Sequence, residues 1–180
     1  MNPRLTGFLI AAVIFFADQM TKWAVTGPLG VNEVGDQLIL LPFFSLTFTQ
    51  NFGISWGFLH ADTDQIRWLL VAFTAAIAVG VTYWLVKEKE QWERVALGLV
   101  LGGAVGNILD RARLGYVVDF ADLNFRSWPQ QLCWSYSDGV CRPFLIFNVA
   151  DAAISIGVVI LLLRALLHKK EEPKENHEHA

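Results

Sequence analysis

Charged residues are scarce in this chain, and their scarcity indicates its class. Only 17% of the 180 residues are charged, whereas 54% are hydrophobic and the mean hydropathy is +0.41. Soluble domains usually contain about 25% charged residues. The composition therefore predicts a small membrane protein with several spans. The net charge of -3 and the absence of a basic stripe away from the helix ends argue against a nucleic-acid partner.

Residues that hold metal ions or act as nucleophiles are also few. The two cysteines, Cys133 and Cys141, lie in one polar loop, and His60 is the only histidine before the C-terminal segment. No cluster has the spacing of a zinc or magnesium site, so we expect no metal or other cofactor. In an oxidising compartment the two cysteines would form a disulfide that restricts their loop; free thiols are the alternative.

Long apolar stretches fill most of the chain. They are residues 5–25, 66–86, 95–114 and 144–167. Each is long enough to cross a hydrocarbon core of about 30 Å as a helix. The first stretch is similar to a cleaved signal sequence, but no small-x-small site follows it, and residues 18–22 continue the helical pattern. We expect a single membrane domain over residues 1–170 and a polar cytoplasmic tail over residues 171–180.

Positive charges are concentrated in alternate connections between these helices, and residues 115–143 carry only Arg126 and Arg142. Lys and Arg occur at Arg4, in residues 87–94 and at the C-terminal end, whereas residues 26–65 contain none. Because cytoplasmic loops carry the excess of Lys and Arg, both termini are predicted to be cytoplasmic. Residues 26–65 and 115–143 would then face outward. Four tryptophans near the predicted helix ends support these boundaries: Trp23, Trp68, Trp84 and Trp92.

The outer connection, residues 26–65, is too long and too apolar for a simple loop. Residues 34–58 mix β-branched and aromatic residues with Gly and Pro, which predicts short strands on the membrane surface. Asn51 and Gly53 predict a tight turn that presents backbone groups to an extended peptide, with an ordinary hairpin turn as the alternative. The predicted fold is a mainly α membrane protein with four transmembrane helices and a small extracytoplasmic β-rich element between helices 1 and 2.

Polar side chains interrupt the predicted helices near their outer ends. Asp18 and Lys22 lie one turn apart in the order that favours an ion pair, which would either support a site or only fix the depth of helix 1. Asn107, Asp110 and Arg111 lie where hydrocarbon should still surround helix 3. A charge at that depth costs from a few to about 10 kcal/mol. Such residues indicate a functional site or a structural charge network inside the helix bundle.

One face of helix 3 carries only small residues. Gly98, Gly102 and Gly106 recur at every fourth position. This spacing predicts close backbone contact with a neighbouring helix.

Two further aspartates occur near the outer ends of helices 3 and 4. Asp119 follows helix 3, and Asp151 lies three residues after Asn148, predicted about 10 Å below the outer end of helix 4. Antiparallel packing of these helices would bring both carboxylates to the same depth. Two such carboxylates in a poorly hydrated pocket share one proton, because both cannot ionise cheaply. The ionised one can activate water while the protonated one polarises a carbonyl, which is the chemistry of an aspartic peptidase.

Five motifs carry a resemblance to a known family. They are Asp18-Gln19-Met20-Thr21-Lys22, Asn51-Phe52-Gly53, the run from Gly102 to Arg111, Val117-Val118-Asp119-Phe120, and Phe147-Asn148-Val149-Ala150-Asp151. In order and placement they resemble signal peptidase II, the lipoprotein signal peptidase of bacteria, over the chain up to Lys170.

The resemblance implies an aspartic endopeptidase of the bacterial inner membrane with its active site near the periplasmic face. It implies cleavage of diacylglyceryl-modified prolipoproteins on the N-terminal side of the lipidated cysteine, contact with membrane lipids, and inhibition by globomycin-type cyclic peptides. Asp119 and Asp151 match the catalytic dyad. The residues that match binding or supporting positions are Asn107, Arg111, Asn148, Asn51, Gly53, Asp18, Lys22, Asp110 and Gly103. We expect a monomer.

The chain departs from the family pattern in two places. Residues 54–56 are Ile, Ser and Trp, where small residues and then Phe are usual. An insertion, residues 124–143, lengthens the segment between Asp119 and Asp151 and would cover the site or bind a partner.

Two other function classes compete with a peptidase. A small proton-coupled transporter or channel subunit would spread its acids across the bilayer and carry internal repeats, whereas these acids cluster at one face and no repeat is evident. A scaffold held together by buried ion pairs would leave Asp119 without a basic partner.

Overall fold

Four long helices dominate the computed structural model, which describes residues 3–53, 64–126, 128–137 and 139–168. They are α1 Pro3–Thr26, α2 Asp64–Lys87, α3 Gln91–Leu114 and α4 Val149–His168. By length and composition all four are able to cross a membrane, which confirms the predicted four spans. His60, residues 54–56 and the predicted tail lie outside the described residues, and the domain boundary at residue 170 stays a prediction.

The start of α4 was predicted wrongly. It begins at Val149 and not at residue 144. Phe147 instead forms an isolated antiparallel β-bridge with Ala121 of the third strand, and its backbone N–H and C=O both bond to that partner. Because these groups are already used, the helix begins only after Asn148.

The central helix of the bundle is α3, which packs against α1, α2 and α4. A Cβ on Gly98 would lie 2.5 Å from the carbonyl oxygen of Gly7, and one on Gly102 would lie 2.5 Å from that of Ala11. The predicted glycine face therefore allows the backbones of α1 and α3 to touch.

A three-stranded antiparallel sheet lies at the end of the bundle where α1 and α3 end and α4 begins. Its strands, in spatial order, are β1 Gln37–Leu41, β2 Phe44–Asn51 and β3 Val117–Leu123. The first two strands are the predicted element between helices 1 and 2. The third strand comes from the connection between α3 and α4 and was not predicted. Its apolar side chains, with Leu46 and Phe48 of β2, form a small core against Val25 at the end of α1.

The insertion forms a second, smaller sheet. Its strands are β4 Phe125–Arg126, β5 Ser135–Ser137 and β6 Val140–Arg142, in the spatial order β4-β6-β5. A disulfide joins Cys133 to Cys141, as predicted. This bond ties the start of the β5 segment to β6.

Candidate active site

The turn after α3 places Asp119 on β3. Gly115 ends the helix with φ +89° and donates its N–H to the carbonyl oxygen of Arg111. Glycine adopts this left-handed conformation without the steric cost of a Cβ atom. The chain then runs as β3, where Asp119 pairs with Thr49 of β2 and is 2% exposed. Asp119 therefore sits on a rigid strand.

Asp151 lies in the first turn of α4, not about 10 Å below its end. Its N–H donates to Oδ1 of Asn148 over 2.9 Å, and the N–H of Asn148 donates to Asp151 Oδ2 over 3.3 Å. These reciprocal bonds resemble a capping box, which satisfies free N–H groups at a helix start. The cap also places the Asp151 carboxylate at the positive end of the helix dipole.

Three asparagines bond to the two aspartates, and one of them contacts both. Asn148 Nδ2 donates to Asp119 Oδ1 over 2.7 Å, so Asn148 contacts both acids. Asn107 Nδ2 of α3 donates to Asp151 Oδ1 over 2.8 Å. On the other side, Asn51 Nδ2 at the end of β2 donates to Asp119 Oδ2 over 3.0 Å. Carboxylates remote in the chain therefore meet in one hydrogen-bonded network.

The environment of Asp119 favours its protonated form. Burial, followed by the negative charge of Asp151, raises the pKa of Asp119 from 3.8 to about 7. Hydrogen bonds from Asn51 and Asn148 and the positive charge of Lys22 oppose this rise. Asp119 is therefore able to hold a proton close to neutral pH.

A buried charge network lies behind the aspartates. Lys22 Nζ lies 2.8 Å from Asp18 Oδ2 and 2.7 Å from Asp110 Oδ2. Asp18 Oδ1 accepts the N–H of Ala150, next to Asp151, and Asp110 Oδ2 accepts the N–H of Val118, next to Asp119. The predicted Asp18–Lys22 pair is therefore formed, and it is buried in the bundle rather than exposed at an interface.

Gly103 and Gln19 support the same region. A Cβ on Gly103 would lie 2.5 Å from the carbonyl oxygen of Ala150, so α3 and α4 touch one residue before Asp151. Gln19 donates its amide to Asp110 over 3.0 Å and to Asp18 over 3.1 Å. The sequence analysis did not name Gln19 as a site residue. Asp18 and Asp110 could have indicated it, because two buried carboxylates need hydrogen-bond donors.

The predicted Asn51–Gly53 turn is formed beside Arg111. Gly53 has φ +80° and donates its N–H to Asn51 Oδ1 over 2.8 Å. A Cβ on Gly53 would lie 3.2 Å from Nη2 of Arg111. The Arg111 side chain interacts electrostatically with both aspartates, and within the described part of the chain its buried Nε has no hydrogen-bond acceptor.

Arg67 of α2 holds the end of α3. Its Nε donates to the carbonyl oxygen of Arg111 over 2.9 Å, and its Nη2 donates to that of Ala112. The sequence analysis assigned no site residue to α2. The last carbonyl groups of a helix have no donor within the helix, so a nearby arginine could have been predicted to bind them.

An open cleft of about 300 Å³ lies against Asp119. One wall is the end of β2, and the other is formed by Leu145 and Ile146 from the connection to α4. The sequence did not predict this second wall. No cluster of His, Cys, Asp and Glu suited to a metal ion occurs among the residues that the structure describes.

Comparisons with known proteins agree on one family. The model of a family described as signal peptidase (SPase) II matches residues 10–167. A lipoprotein signal peptidase of Rhizorhabdus wittichii is 50% identical over 174 residues, which cover 96% of this chain and 93% of that protein. One from Sphingopyxis alaskensis is 49% identical, covering 89% and 85%. A solved bacterial membrane enzyme, determined in meso at 2.3 Å, shares the fold with a TM-score of 0.73 and 29% identity, covering 94% of this chain and 93% of that one.

Proposed function

The chain belongs to the signal peptidase II family, membrane proteases that remove signal peptides, and we propose that Asp119 and Asp151 are its catalytic dyad. The substrate would be a diacylglyceryl-modified prolipoprotein, cut on the N-terminal side of the lipidated cysteine. The observation that carries this proposal is the contact of Asn148 with both carboxylates, since it brings Asp151 next to Asp119, which lines the cleft. Membership of this family excludes the transporter alternative.

The two carboxylates have different environments, which supports different roles. Asp151, in the first turn of α4, takes a proton from the attacking water. Asp119, whose pKa is raised to about 7, is the protonated member and donates to the oxygen of the scissile carbonyl. Water oxygen adds to the carbonyl carbon and a tetrahedral intermediate forms. When the C–N bond breaks, Asp151 passes its proton to the amine and Asp119 recovers its own.

The surroundings of the dyad support peptide binding. The peptide would lie in the cleft between Asn51–Gly53 and Leu145–Ile146. Arg111, whose guanidinium lies behind Gly53, would act on the two aspartates through its positive charge. The acyl chains would remain in the lipid between the helices. A globomycin-type cyclic peptide would compete for this cleft.

The placement in the cell is part of the proposal. We place the protein in the bacterial inner membrane as a monomer, with both termini cytoplasmic and the dyad near the periplasmic face. The absence of Lys and Arg from residues 26–65 supports this orientation.

Cleavage of a synthetic diacylated lipobox peptide by the purified protein, in buffer with a metal chelator, tests the function. Asp119→Asn and Asp151→Asn should each abolish cleavage while the protein still inserts and folds. Asp64→Asn is the matched control, because the Asp64 side chain is 87% exposed at the start of α2. Retained cleavage by either dyad variant would overturn the assignment, and failure of the wild type would overturn the substrate class.

A further inference from the structure

The insertion ends in a rigid element that lies close to the site. We call β5 and β6, together with the disulfide that links Cys133, two residues before β5, to Cys141 of β6, the stapled hairpin. Cys141 is fully buried, and the N–H of Trp134 donates to the carbonyl oxygen of Arg142 over 2.8 Å. The backbone of Arg142 is therefore held by both the sheet and the disulfide.

Arg142 extends from the stapled hairpin to β3. Its Nε lies 2.9 Å from Asp122 Oδ1 and 3.2 Å from Oδ2, and Asp122 is only 1% exposed. Thr47 Oγ1 adds a hydrogen bond of 3.0 Å to Asp122 Oδ2. Within the described ranges Arg142 is the only cation paired with this carboxylate. A buried carboxylate depends strongly on such a partner.

Strand β3 also binds Phe147, five residues after Arg142. Phe147 accepts the N–H of Ala121 over 2.8 Å and donates its own N–H to the carbonyl oxygen of Ala121 over 3.2 Å. Residues 143–146 therefore form a short loop that is attached to β3 at both ends. Its Leu145 and Ile146 are the second wall of the cleft, and Asn148 follows directly after it.

We propose that Arg142 is a positioning residue of the reaction. Its ion pair with Asp122 anchors this loop on β3, three residues after Asp119, and so sets both the wall of the cleft and the place of Asn148 between the two aspartates. The insertion thus stabilises the position of β3, the strand that carries Asp119. This inference rests on the proposed dyad, because it acts through the Asn148–Asp119 contact.

Arg142→Gln in the purified full-length protein tests the inference. Misplacing reacting groups by about 1 Å can cost about 100-fold in rate, so we expect kcat per folded molecule to fall at least about tenfold. The alkaline limb of the kcat profile should also move to higher pH, because a weaker bond from Asn148 raises the pKa of Asp119. Arg126→Gln is the matched control: Arg126 is exposed on β4 of the same sheet.

A purely structural pair gives a different result. Arg142→Gln would then lower the melting temperature while kcat per folded molecule and the pH profile stay those of the wild type, and this overturns the inference. An equal loss in Arg126→Gln also overturns it.

If Arg142→Gln does not fold, the double variant Asp122→Ala/Arg142→Ala is measured instead. It removes the pair without leaving a buried charge and keeps the net charge. If the double variant keeps the kcat and the pH profile of the wild type, the inference is overturned. A tenfold lower kcat, with the alkaline limb of the profile moved to higher pH, supports it. Wild type and Asp119→Asn in the same assay separate failure of this inference from failure of the dyad.

Discussion

Asn148 Nδ2 lies 2.7 Å from Oδ1 of Asp119, while the backbone and side chain of Asn148 cap the helix that carries Asp151. One residue therefore sets the position of an acid on a strand against that of an acid on a helix.

The first prediction concerns pH and catalysis. Because the pKa of Asp119 is raised to about 7, its proton is present below that pH and lost above it. Cleavage should therefore decrease as pH rises through about 7, since the carbonyl loses its proton donor. A profile of kcat against pH checks this. A rate that is unchanged up to pH 9 would contradict the role given to Asp119.

The raised pKa of Asp119 should also make the stability of the folded protein depend on pH. The folded-state pKa of Asp119 is higher than the ordinary value of 3.8, so the folded protein binds the proton more tightly than the unfolded chain. The contribution to stability is complete below pH 3.8 and decreases as pH rises toward 7. The melting temperature of the wild type should decrease relative to that of Asp119→Asn over this range. Parallel melting curves of the two proteins in detergent would contradict this.

Asn148→Ala removes both functions of the asparagine. Loss of the helix cap should cost about 1 kcal/mol of stability. Loss of the bond to Asp119 should reduce kcat by at least about 100-fold, through misplacement of the dyad. Asn32→Ala, at an exposed position in the outer connection, is the control. Rates from single-turnover cleavage and melting temperatures separate the two effects.

Lys22→Met leaves Asp18 and Asp110 buried without their cation. Breaking a buried ion pair from one side costs about 3–5 kcal/mol. We expect a large decrease in melting temperature and loss of cleavage. Lys22→Met combined with Asp110→Asn should recover part of the stability, because one of the unpaired carboxylates is gone. No recovery would contradict the charge network.

Gly103→Ala tests the close contact of α3 with α4. The added Cβ would lie 2.5 Å from the carbonyl oxygen of Ala150, so the first turn of α4 must move. We expect kcat to fall at least about tenfold, since Asp151 moves with it. Gly80→Ala is the matched control, because a Cβ at Gly80 meets nothing within 4 Å. Equal rates for the two variants would contradict the positioning role of Gly103.

Local patterns predicted a large part of this protein. Runs of about 20 apolar residues specify spanning helices almost by themselves, because a backbone in hydrocarbon must satisfy its own hydrogen bonds. The four-residue spacing of Gly98, Gly102 and Gly106 indicated the contact of α3 with α1. The ion pair of Asp18 and Lys22 also followed from spacing, since residues four apart on a helix are neighbours.

Only the tertiary structure decided how the site is assembled. The pairing of β3 with β2, the bridge from Phe147 to Ala121 and the bond from Arg142 to Asp122 all join residues distant in the chain. They move the start of α4 from the predicted residue 144 to Val149, which places Asp151 in the first turn. Hydropathy is a property of one segment and indicates whether that segment is more stable in lipid or in water. A strand pair or an ion pair needs a second segment, and the tertiary fold decides which segment lies next to it.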